Sequence, residues 1–109
     1  MDKNAVLEIV GRFVRTLEQR GVRVNKAILY GSYANGAQHP GSDIDLVIVS
    51  DCFAGKDYWE RIRILSDAIY EIWEPVEAVA MTLEEWERGD STIVEYAKNG
   101  ENVCGARGR

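Results

Sequence analysis

Between Tyr30 and Val49 the chain reads Tyr-Gly-Ser-Tyr-Ala-Asn-Gly-Ala-Gln-His-Pro-Gly-Ser-Asp-Ile-Asp-Leu-Val-Ile-Val, and no other stretch restricts the fold as much. An apolar run, Lys26 to Tyr30, stops at Gly31-Ser32. Tyr33-Ala34-Asn35-Gly36 then has room for one helical turn, His39-Pro40-Gly41-Ser42 has turn chemistry, and a second run opens with Asp43-Ile44-Asp45. Short apolar runs bounded by Gly, Pro and Ser are strands. The second, Asp43 to about Ser50, carries β-branched residues on both faces after its aspartates, which places it centrally in a sheet.

Helical patterns surround this unit. Val6, Ile9, Val10, Phe13, Val14 and Leu17 draw one stripe along a helix from Asn4 to about Arg20, ended by Gly21. Tyr58, Ile62, Leu65, Ile69 and Ile72 do the same from Asp57 to Trp73, where Glu74-Pro75 ends the helix. A third strand runs from Val76 to about Met81. Thr82 with Glu85 forms a capping box for a short helix through Arg88, and Ser91 to Asn99 is a last helix stopped by Gly100. The order predicts an α/β (α+β) fold, a small mixed sheet of about three or more strands covered by helices. The 109 residues suit one domain, with 101–109 expected as a loose tail.

A net charge of −5 argues against stable nucleic-acid binding, which needs clustered Lys and Arg. The apolar runs are too short to cross a membrane and the N-terminus is polar, so a cytoplasmic setting is expected. Cys52 and Cys104 lack metal-ligand spacing.

In a strand, Asp43 and Asp45 share one face, about 6–7 Å apart along the chain. Two carboxylates on a partly buried face repel each other, and a divalent cation relieves that cost; oxygen-only ligands suit Mg²⁺ or Mn²⁺. Gly31 allows close backbone approach and Ser32 adds a hydroxyl, so this turn is a candidate phosphate cradle. Glu77 is the best third acid for in-line nucleotidyl transfer with two metals about 3.5–4 Å apart. On the third strand it shares a face with Val79 and Met81, as Asp45 does with Val47 and Val49. Glu71 and Glu74, at a helix end, are weaker candidates. The plainer alternative leaves all three acids as solvated residues at strand starts.

Gly31-Ser32 followed after ten residues by Asp43-Ile44-Asp45-Leu46 resembles the signature of the DNA polymerase β-like nucleotidyltransferase superfamily. The short Gly-Ser-Tyr-Ala start is similar to its minimal branch, the MntA-type antitoxins paired with HEPN-domain toxins. The resemblance implies Mg²⁺-dependent transfer of AMP from ATP, with two metal ions. Gly31 and Ser32 would hold the triphosphate, and Asp43, Asp45 and Glu77 would bind metal and act as the catalytic acids. The family commonly has Asp where this chain has Glu77 and Arg where it has Asn35.

The expected acceptor is a side-chain hydroxyl of a HEPN-type or similar helical partner, because little chain remains after Met81 to recognise one. The alternative is a catalytically weak or inactive nucleotide-binding subunit that neutralises its partner by binding. Lys56, Arg61 and Arg63 read either as solvated helix surface or as positive charge for phosphate. His39 reads as a turn residue, and Trp59, Trp73 and Trp86 as packing residues.

Overall fold

The computed structural model describes residues 2–36, 41 and 43–104. The expectations for His39, for the side chain of Asn35 and for the tail beyond 104 lie outside the described residues. The main elements, in order, are α1 (Lys3–Gln19), β1 (Lys26–Tyr30), α2 (Ser32–Asn35), β2 (Ile44–Val49), a 3-10 turn (Asp51–Phe53), α3 (Tyr58–Ile72), β3 (Val76–Met81), α4 (Leu83–Arg88), α5 (Thr92–Ala97) and β4 (Glu101–Asn102).

The strands form one mixed sheet in the order β3-β2-β1-β4. β1 runs antiparallel to both β2 and β4, while β3 runs parallel to β2. A parallel neighbour needs a crossover, and α3 is that crossover. β2 is central, as its two-sided apolar pattern requires.

Local chemistry sets the helix boundaries. The Asp2 carboxylate accepts from the Ala5 N–H at 2.9 Å to start α1. Asp57 with Glu60 and Thr82 with Glu85 form complete capping boxes at the starts of α3 and α4. α1 and α3 lie side by side on one face of the sheet: the Arg12 guanidinium donates to the Ile72 carbonyl at 3.1 Å, and Arg20 pairs with Glu71 at 2.9 Å. Beneath them Val6, Phe13 and Leu17 join Ile44, Leu46 and Ile48 in the main core. On the opposite face Ile28, Val47, Val49 and Met81 pack with Val94 and Ala97 of α5, with Leu83 and Trp86 of α4 packed against this second cluster.

Three expectations change. The chain is not loose from Glu101: Glu101 and Asn102 pair with Leu29 and Ile28, and Val103 is buried. Gly100 permits this, because a Cβ there would collide with the Leu29 carbonyl. The last helix is shorter than expected, since the chain leaves it at Lys98 to reach that edge. Trp59 and Trp73 are not packing residues, being 70% and 78% exposed, whereas Trp86 is partly buried against the second cluster. Their helical spacing places them beside the stripe of α3 that meets the sheet, not within it.

Candidate active site

The second face of the sheet holds the acids. Strand alternation sends Ile44, Leu46 and Ile48 into the main core and Asp45, Val47 and Val49 to the other side. The parallel register sets Asp45 opposite Glu77, and the antiparallel register sets Tyr30 opposite Asp45. Tyr30, Asp45 and Glu77 therefore form one row across three strands, beyond the end that α4 and α5 cover. Asp43 precedes β2 on the same side and is exposed, and the ladder reaches back to it through the Ile44 N–H, 2.9 Å from the Pro75 carbonyl.

Gly31 lies at the head of this row. Its φ of 77° and ψ of −152° fall where essentially only glycine goes. A Cβ there would run into the Asp45 carboxylate, so backbone and acid touch only because the side chain is missing. Ser32 opens α2, and Tyr33, 6% exposed, plugs that turn into the core. The loop is thus pinned from below while Gly31 and Ser32 remain partly accessible above.

The electrostatics are those of an unneutralised acidic cluster. The Asp45 pKa is raised, first by burial, then by Glu77 and then by Asp43. The Tyr30 hydroxyl is pushed up by burial and by the Asp45 and Glu77 charges, which places the phenol among the acids. No ion pair among the described residues reaches Asp43, Asp45 or Glu77. Arg61, a candidate source of positive charge, instead makes a bidentate pair with Glu85 at 2.7 and 3.2 Å and caps the Lys56 carbonyl at 3.0 Å. Its charge holds α3 to α4.

Oxygen-only donors in mutual repulsion, with no ion pair to a cation among the described residues, fit a divalent ion. Among the described residues no three acids, cysteines or histidines stand close enough together to hold a metal ion among themselves, so the carboxylates form an open shelf. Nothing in the sequence alone marks Tyr30 as part of the site. Its signal is strand parity, since Lys26, Ile28 and Tyr30 share a side, but the β1–β2 register needed to use it is not local.

The nucleotidyltransferase domain family model matches residues 10–98. The chain belongs to that family. No curated protein matches this nucleotidyltransferase domain. Among solved structures, a Sulfolobus solfataricus protein assigned as a nucleotidyltransferase superposes with a TM-score of 0.71 at 18% identity, over 92% of this chain and 80% of the other. A toxin–antitoxin structure with AMP-PNP gives 0.59 at 21% identity, covering 85% and 70%. A mutant MntA–HpeT toxin–antitoxin gives 0.52 at 17%, covering 94% and 73%. These likenesses establish the nucleotidyltransferase fold. Among the described residues no helix is long and apolar enough to cross a membrane.

Proposed function

We propose that this nucleotidyltransferase domain transfers AMP from ATP, with Mg²⁺, to a side-chain hydroxyl of a HEPN-type toxin partner in the cytoplasm, and so acts as an antitoxin. The observation that carries the catalytic part is the Asp45–Glu77 pairing on one face, beside the backbone cradle at Gly31. The toxin–antitoxin structures among the fold neighbours support the choice of partner.

Bound at Asp43, Asp45 and Glu77, two divalent ions would supply charge neutralisation for the triphosphate and the attacking oxygen. The chain's own groups do the rest. Gly31 and Ser32 receive the phosphates, with no side chain at Gly31 to block approach. Glu77, exposed on the row, takes the proton of the acceptor hydroxyl. The hydroxyl oxygen forms a bond to the α-phosphorus, the bond from that phosphorus to the β-phosphate bridging oxygen breaks, and pyrophosphate leaves. Tyr30 and Val47 close the floor of the row against water.

A second reading rests on the open shelf of acids: a nucleotide-binding subunit with weak turnover that neutralises its partner by binding. Asp45→Asn separates the two. With α-phosphate-labelled ATP, Mg²⁺ and the partner, transfer predicts label on one partner band that disappears in the variant. Persistence of neutralisation in an unlabelled Asp45→Asn complex supports the binding reading and sinks the catalytic one.

A further inference from the structure

α3 carries an apolar face that the fold does not use. Tyr58, Trp59, Tyr70 and Trp73 are 67%, 70%, 72% and 78% exposed. At 100° per residue Tyr58, Trp59 and Tyr70 fall, with Ile62 and Ser66, on one flank of the helix, between its buried side and its charged side, and Trp73, just past the helix end, joins them by stacking on Tyr70. Two separate grooves border that flank, the first of them also lined by Arg61 and Glu85. One of about 400 Å³ lies between Tyr58, Ile62 and the open edge of β3, and one of about 340 Å³ lies at Ser66, Tyr70 and Trp73. Four aromatic side chains at this exposure present on the order of 500 Å², beyond scattered surface apolarity and more than half of the roughly 800 Å² that one partner contributes to a standard interface.

Trp73 shows that the face is built at a cost. It caps α3 with φ 60° and ψ 47°, and it is the one non-glycine residue at positive φ among the described residues. Glycine or asparagine would hold that conformation with less strain. The conformation turns the Trp73 ring outward and stacks it on Tyr70, with centroids 6.3 Å apart. The other end of the flank carries a second aromatic pair, Tyr58 and Trp59, at 5.1 Å.

The spacing is self-complementary. Trp59 and Trp73 each stand seven residues from Ser66, and Ile62 and Tyr70 each stand four. A two-fold axis at Ser66 that pairs two copies of α3 antiparallel therefore sets each Trp59 against the other copy's Trp73, and each Ile62 against its Tyr70. The small residue falls at the crossing point, where helices approach most closely. Arg63 and Asp67, exposed on the charged flank and outside the ion pairs among the described residues, match across the same axis, their heights differing by about 3 Å.

We propose that this face is a homodimer interface, in which α3 of one copy packs antiparallel on α3 of a second about a two-fold axis at Ser66. The interface is isologous and closes at two copies, because the same patch serves both sides. It stands independently of nucleotidyl transfer, since no residue in it belongs to the row of acids.

The test is the mass of the full chain by sedimentation velocity and light scattering, without nucleotide. The wild type is expected at twice the chain mass, and Ser66→Arg and Trp73→Gly at one chain mass with unchanged circular dichroism. Trp73→Gly relieves the helix cap, so loss of the dimer there is not a folding defect. Ser66→Cys with a short bismaleimide is expected to give one cross-linked dimer, joined at position 66 by peptide mapping. A wild-type mass of one chain at every concentration overturns the proposal, as does a dimer that survives both substitutions or a cross-link confined to Cys52 or Cys104. A monomer whose aromatic face is covered only when a basic helical protein is added likewise overturns it, assigning the face to a different partner.

Discussion

The two faces of the sheet are made by the same strands and do opposite work. On the face under α1 and α3, Ile44, Leu46 and Ile48 are fully buried within the main apolar cluster. On the other, α4 and α5 cover Val47 and Val49, while Asp45 and Glu77 stay open at the uncovered end. A closed face stores stability. An open face stores unneutralised charge that a ligand can use. Because side chains alternate along β2, one strand supplies both without compromise at any residue.

Substitutions on the two sides should therefore fail differently. Ile48→Ala, on the closed face, should cost about 2–5 kcal/mol in denaturant unfolding, because it removes buried methylenes and leaves a cavity. Asp45→Asn, three positions away on the same central strand, should keep the fold by circular dichroism yet lower transfer by about 10²-fold or more. If Asp45→Asn unfolds the chain instead, the division between the faces is wrong.

Gly31→Ala tests the seam between fold and site. It places a Cβ against the Asp45 carboxylate and forces a non-glycine residue into a glycine-only conformation, so it should cost roughly 1–3 kcal/mol and also weaken nucleotide binding by titration. Loss of either property alone would show that the turn serves only one of them.

Glu85→Ala should cost about 1–2 kcal/mol at neutral pH, since Glu85 both closes the α4 capping box and pairs with Arg61. The Arg61 hydrogen bond is the main cause of the depressed Glu85 pKa. The wild-type advantage is therefore present above the ordinary carboxylate range and is lost as pH falls through the depressed value. Unfolding followed across that range checks the sign.

The smallest effect runs the other way. The folded pKa of Asp45 is raised, so the folded chain holds its proton longer and stability falls as pH rises from the ordinary carboxylate value through the raised one. In metal-free protein, Asp45→Asn should remove this fall and melt slightly higher at neutral pH, a gain that added Mg²⁺ cancels by stabilising only the wild type. Equal melting curves for both, with and without Mg²⁺, would separate Asp45 from the cation.

Much of the fold is legible because its cues are local. The boundaries of α3 and β3, the capping boxes and the turn at Gly31-Ser32 each depend on residues within one or two turns of chain. The edge pairing of β4 was not legible, since two polar residues carry no strand pattern and owe their place to Gly100 and to Val103. Arg61 misled for a related reason: a helix-surface arginine says nothing of Glu85, twenty-four residues on, until both helices are docked.

By itself the sequence determined every main element except the 3-10 turn and β4, the face that each residue of the first three strands would take and the presence of two acids one residue apart behind a glycine-serine turn. Periodicity and backbone freedom are properties of a few neighbouring residues and act before any folding. Only the tertiary structure decided that β3 runs parallel in the register that sets Glu77 beside Asp45, that Tyr30 completes the row, and that one flank of α3 remains uncovered. Register and exposure are settled by which distant surfaces exclude water together, and no short stretch of chain holds that information.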